Sequence, residues 1–220
     1  MDIKAIKDRH TDKTKKKSGN RILLVRHGET EWNRLHRFQG RSDIPLNPKG
    51  NHQARALGLA LKKETITAIY SSPLERAVET ASHIAQFHPS VPLMKESGLI
   101  EMDLGDFEGM EAQQWKKEHP AFRKAWEKSP SFLSMPGGES LNQVQQRAVG
   151  TLLRISESCA QGSTLVICSH NFVITSLLCF ASQTPLDHFR KLRQGTAALN
   201  ILYQDETGFQ VEKVNDRTHL

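Results

Sequence analysis

The apolar positions fall into two repeating patterns. Short runs of continuous hydrophobicity alternate with stretches in which every third or fourth residue is apolar. Arg21–Val25 contains Ile22, Leu23, Leu24 and Val25 in succession, the pattern of a strand covered on both faces of a sheet. Thr67–Tyr70 and Thr164–Cys168 read the same way, the latter as a central strand. Asn47 followed by Pro48 supplies an N-cap and a first-turn proline, predicting a helix to about Lys63 with Ala54, Leu57 and Leu61 facing inward. A second helix is expected from a cap at Ser72–Pro73 to about Phe87. From Ser140 to about Cys159 the helical period returns in Leu141, Val144, Ala148, Leu152 and Ile155, and Phe172–Phe180 predicts one more helix.

Val91–Met94 contains Pro92 and reads as a short strand near a sheet edge, since proline cannot serve a central ladder. Thr196–Tyr203 and Phe209–Val214 predict a closing hairpin across Asp205–Gly208. Between residues 99 and 139 the prolines and glycines leave room for only one or two short helices, and residues 28–46 read as a long polar loop. Strands alternating with helices predict an α/β layered fold. With 220 residues, no internal repeat and no separating linker, one domain is expected over 20–220, carrying a lid-like segment at about 111–139.

Charge changes this picture little. The net charge is +6. Lys4, Lys7, Arg9, Lys13, Lys15, Lys16 and Lys17 against Asp2, Asp8 and Asp12 place +4 of it in residues 1–19, read as a basic, disordered tail. The remainder is only mildly basic and carries no nucleic-acid module. No run approaches the roughly 20 apolar residues of a membrane span, and the N-terminus lacks the apolar core of a secretory signal. A cytoplasmic protein with no nucleic-acid or membrane partner is the expectation; a homodimer is left open. Cys159, Cys168 and Cys179 lack metal spacing and suggest no disulfide framework; Cys168 reads as a buried thiol.

Ligands of such sheets bind beyond the carboxyl ends of strands, and three strands are followed by reactive residues. These are Arg26–His27–Gly28, Ser71–Ser72–Pro73–Leu74–Glu75–Arg76 and Ser169–His170–Asn171. Their convergence on one rim is the main structural expectation. Arginines there suit phosphate oxygens, because guanidinium forks match their geometry. A neutral imidazole is a nucleophile that adds no negative charge, and nearby arginines favour its neutral form.

The segment Leu24–Asn33 (Leu-Val-Arg-His-Gly-Glu-Thr-Glu-Trp-Asn) resembles the signature of the histidine phosphatase superfamily, also called the phosphoglycerate mutase-like family. The likeness continues through Phe38–Leu46, Tyr70–Ala81, Leu99–Gly109, Pro136–Ser140 and Ser169–His170. These blocks keep the family's order over roughly residues 21–203. The resemblance implies a three-layer α/β sandwich with a mostly parallel central sheet flanked by helices. It implies His27 as phosphate acceptor, Arg26 and Arg76 as phosphate ligands, and His170 as a phosphate-binding partner, plausible as a protonated ring. Glu101 would be the general acid and then base, chosen by register over Asp103, Asp106 and Glu108. Asn33, Gln39 and Gly40 resemble loop residues that touch phosphate or substrate. Many relatives have glycine where this chain has Asn171; a backbone N–H there could still bind phosphate, while the side chain narrows the pocket.

No cofactor and no metal is implied. Other phosphatase chemistries lack their residues here. No arginine lies six positions beyond any cysteine, no Asp-x-Asp occurs, no P-loop is present, and His83 and His88 are five apart, off a shared ligand face. The expected activity is a histidine acid or broad-specificity phosphatase acting on a small phosphorylated metabolite, with an α-ribazole phosphate or phosphosugar compatible. The rival is a mutase with the same core residues. Family mutases carry a longer insertion where Glu111–Gly138 is short, and Pro136–Ser140 resembles the phosphatase branch. A non-catalytic scaffold with this fold is the remaining alternative. As a rim residue, His27 is expected to contribute little packing.

Overall fold

The computed structural model describes residues 19–220. The basic tail of residues 1–19 therefore lies, except for Gly19, outside the described residues.

Six strands form one sheet: β1 (Asn20–Arg26), β2 (Ala68–Ser71), β3 (Leu93–Lys95), β4 (Thr164–Ser169), β5 (Leu199–Asp205) and β6 (Gly208–Asp216). Their order is β3-β2-β4-β1-β5-β6. The first four positions of that order are parallel, whereas β5 runs antiparallel to both β1 and β6. The proline-bearing strand lies at an edge, and β5–β6 is the expected hairpin.

The strand pleat explains why the central runs are apolar throughout. On β1, Ile22 and Leu24 join one hydrophobic cluster, and Leu23 and Val25 join another. On β4, Leu165 and Ile167 divide from Val166 and Cys168 in the same manner. One face is covered by α2 (Pro48–Leu61) and α3 (Glu75–Ala85), through Leu57, Leu61, Ala81 and Ile84. The other is covered by α6 (Leu141–Ser158) and α7 (Asn171–Ala181), through Leu141, Val144, Leu152, Ile174 and Leu177. Helices on both faces of a mostly parallel sheet make the expected three-layer sandwich. All three cysteines are free, and burial pushes the Cys168 thiol strongly upward.

Local details differ from the sequence expectations. The loop after β1 contains a single-turn helix, α1 (Glu31–Arg34), closed by a capping box between Thr30 and Asn33. Ser72 does not cap α3, which begins at Glu75 after Leu74 with no side-chain cap. The Ser72 hydroxyl is taken by His170 Nε2 at 2.7 Å and Leu74 N at 3.3 Å. The segment read as a lid folds as α4 (Ala112–Glu118) and α5 (Pro120–Lys128), with Trp115 and Trp126 buried beneath. Among the described residues no helix is long and apolar enough to cross a membrane.

Candidate active site

Strands β2, β4 and β1 are adjacent and parallel. Their carboxyl ends therefore lie side by side, and the three reactive segments meet there. A cavity of about 390 Å³ opens at this rim, with Arg26, His27, Asn33, Gln39, Gly40, Arg76, Glu101 and Asn171 all on its wall. Of the residues expected in the site, only His170 is absent from that wall.

His27 is not the lightly packed rim residue expected from sequence; it is 3% exposed. Its backbone N–H donates to Ser169 O, and its carbonyl accepts from Ala197 N. The ring is fixed by Nδ1, which lies 2.7 Å from Gly28 O. A carbonyl only accepts, so Nδ1 carries the proton and Nε2 of the neutral ring keeps its lone pair. Burial, then Arg76 and Arg26, hold the imidazole pKa well below the ordinary histidine range. Gly28 is required by close approach: a Cβ there would stand 2.5 Å from Gly50 O. Its N–H donates to Thr80 Oγ1 on α3.

His170 is fully buried, and its ring centroid lies 5.1 Å from that of His27. Arg76 Nε donates to His170 Nδ1 at 3.3 Å. Since guanidinium cannot accept, Nδ1 is unprotonated, and Nε2 carries the hydrogen that points at Ser72 Oγ. The protonated His170 expected from the resemblance is thus absent from this geometry. Burial, Arg76, His27 and Arg26 push its pKa well down, and the neutral ring follows.

Arg76, in the first turn of α3, is 1% exposed. Its terminal nitrogens donate to Ser42 O and Gly40 O, both at 2.8 Å. That turn is in turn held by Glu108, which accepts from Arg41 N, Ser42 N and Ser42 Oγ at 2.6, 2.8 and 2.6 Å. Gly40 has φ +52°, and a Cβ there would collide with the Glu108 carboxylate. Arg26 donates to Gln194 O, while its Nε has no partner among the described residues. Burial lowers its pKa to about 10.

Glu101 is 7% exposed, with Oε1 accepting from Met102 N at 2.9 Å and Oε2 from Phe172 N at 3.3 Å. Burial raises its pKa and outweighs the opposing pull of those N–H groups and of Arg76 and Arg26. Of the acidic residues weighed for this position, Asp103, Asp106 and Glu108 lie off the cavity wall. Asn33 reaches the wall but also performs turn chemistry, its Oδ1 accepting from Thr30 N. Asn171 Oδ1 accepts from Gln194 N, so the side chain anchors the neighbouring loop as well as narrowing the cavity.

Sequence reading missed Ser72 as a partner of His170, Glu108 as the clamp on the Arg76 turn, and the loop bearing Arg193, Gln194 and Thr196 on the cavity wall. It also missed Arg147, which donates to Gly98 O, Ile100 O and Glu101 O and so fixes the Glu101 segment. Ser72 and Glu108 lie within blocks singled out in the sequence, but the partners that define their roles are far along the chain; Arg147 and the 193–196 loop lie in no such block.

A buried histidine pair set among arginines at the carboxyl ends of parallel strands has the charge and donors to suit a phosphate group. The chain belongs to the histidine phosphatase superfamily (branch 1), which it matches over residues 22–217. It is 32% identical over 200 residues to phosphoserine phosphatase 1 of Hydrogenobacter thermophilus, covering 91% of this chain and 94% of that protein. It is 33% identical over 204 residues to the probable phosphoglycerate mutase GpmB of Salmonella choleraesuis, covering 90% and 94%. Among solved structures it is similar to Bacillus stearothermophilus YhfR, with a TM-score of 0.85, 32% identity and coverage of 91% and 98%.

Proposed function

We propose that this chain is a metal-independent phosphatase that hydrolyses small phosphomonoesters through a phosphohistidine on His27. The observation that supports this best is the Nδ1–Gly28 O bond. It leaves Nε2 unprotonated on the wall of a cavity that Arg26, Arg76 and Glu101 share.

In the first step the His27 Nε2 lone pair forms the N–P bond as the ester P–O bond breaks. Glu101, whose pKa burial raises, in its protonated form gives its proton to the departing alcohol oxygen. In the second step Glu101 takes a proton from water, whose oxygen attacks phosphorus while the N–P bond breaks. Arg26 and Arg76 neutralise the non-bridging oxygens throughout. His170 orients Arg76 through Nδ1. With its two ring nitrogens engaged by Arg76 and Ser72, His170 acts on the phosphoryl group through Arg76. Gln39, Gly40, Asn33 and Asn171 shape the substrate's side of the cavity. A broad-specificity cytoplasmic enzyme for soluble phosphorylated metabolites fits this reading.

The mutase reading is favoured by the likeness to GpmB and would use the same first step. Turnover of p-nitrophenyl phosphate in chelator, and of 3-phosphoglycerate with and without its bisphosphate, separates the two. Chelator-resistant hydrolysis is expected. Bisphosphate-stimulated isomerisation would establish the mutase instead, and inactivity on a broad ester panel would leave a scaffold.

A further inference from the structure

A second cavity of about 290 Å³ adjoins the first beneath α4 and α5. The two share Phe38, Leu104, Ala112, Asn171, Phe172 and Arg193, so they abut along a common wall. Its walls are aromatic. Phe107 and Trp115 meet edge to face at 5.9 Å, Trp126 and Phe189 at 6.1 Å, and Phe172 lies 5.7 Å from Phe189.

The charges on its wall are unequal. Glu127 is its one carboxylate, and Arg123 stands 3.5 Å from it. Arg190 is committed, with a nitrogen on Trp126 O and its guanidinium 4.9 Å above the Phe189 ring. Lys116 and Arg193 are exposed and enter no ion pair among the described residues, and Arg193 lines both cavities.

We propose that this annex receives the alcohol portion of the substrate and selects phosphate esters of aromatic alcohols that carry a second, anionic group. The inference rests on the phosphatase reading above. The ring is taken by the aromatic walls, and the anion, such as a carboxylate, by Arg193 and Lys116. An ammonium group in the same place meets two cations, so esters whose only second charge is an ammonium group are disfavoured.

The test compares kcat/KM for the phosphates of 4-hydroxyphenylacetate, phenol and tyramine, with glycerol 1-phosphate as a ring-free ester. In the first and third, the charge is separated from the ring by methylene carbons, so their leaving groups are alike. The unmodified protein should prefer the carboxylate over the ammonium ester by roughly tenfold. Lys116→Gln together with Arg193→Gln should bring the ratio to within about twofold. Phe172→Ala should lower kcat/KM for phenyl phosphate more than for glycerol 1-phosphate, a change that the fixed difference between their leaving groups does not produce. Equal turnover of carboxylate and ammonium esters, or a ratio unchanged in the double variant, would overturn the annex while leaving the phosphatase intact. Inactivity on all four esters would overturn both.

Discussion

Removing the Glu108 carboxylate should weaken phosphate handling without touching the phosphate. Its oxygens hold the 40–42 turn whose carbonyls, Gly40 O and Ser42 O, receive two donors of Arg76. In Glu108→Ala, Ser42 N retains its bond to Gln39 O, but Arg41 N loses its acceptor. An orphaned donor costs about 1–3 kcal/mol when buried. This turn is half-buried and water can partly replace the carboxylate, so a loss near 2 kcal/mol is expected. If most of it appears as disorder of Arg76, kcat/KM for p-nitrophenyl phosphate falls about 10- to 30-fold. Inorganic phosphate, as a competitive inhibitor, should weaken by a similar factor, and Glu108→Gln, which keeps one acceptor oxygen, should fall between. Steady-state kinetics and phosphate inhibition read this directly. A variant with a lowered melting temperature but kcat/KM and phosphate affinity within twofold of the unmodified protein would refute the argument. Glu108 would then be a stabilising contact only.

Glu101→Gln should slow alkyl phosphates at least tenfold more than p-nitrophenyl phosphate, whose leaving group needs little protonation; equal losses on both would remove Glu101 from the acid role. Because burial raises the Glu101 pKa, turnover of alkyl esters should decline as pH rises through that elevated value, and a flat alkaline limb would contradict this. His27 and His170 have depressed pKa values in the fold, so the stability they carry is complete above the unfolded value near 6.5 and is lost as pH falls below it. Each should contribute a slope of up to about 1.4 kcal/mol per pH unit in urea unfolding below pH 6.5, and His170→Gln should flatten the curve. Gly28→Ala places a methyl group 2.5 Å from Gly50 O and should cost about 1–3 kcal/mol of stability. It should also impair turnover by shifting the carbonyl that fixes His27; normal melting and kinetics would show that the loop yields freely.

The sheet and its principal helices were legible because burial imposes periodicity directly. Leu141, Val144, Ala148, Leu152 and Ile155 mark the buried stripe of α6, and the unbroken apolar runs of β1 and β4 report cover on both faces. The convergence of three strand ends also followed from the fold class, and it placed His27, Arg76 and Asn171 on one wall. What escaped was set by tertiary contacts. A short turn of helix at Glu31–Arg34 has no buried residue and leaves no apolar trace. Ser72 looks like a helix cap in sequence, yet its hydroxyl meets a ring 98 positions away. The tautomer of the buried His170 ring is set by Arg76 donating to Nδ1, a relation no local pattern encodes.

Trapping the covalent intermediate tests the central claim most directly. The unmodified protein and a His27→Asn variant, which keeps a side chain of similar size in this buried position, would be mixed with excess p-nitrophenyl phosphate. Both would be quenched in alkali within milliseconds and digested for mass spectrometry. The account predicts a base-stable, acid-labile phosphoryl group on the Nε2 of His27 in the unmodified protein and none in the variant. A phosphoryl group on another residue, or a His27→Asn protein that still hydrolyses the ester at a comparable rate, would contradict it.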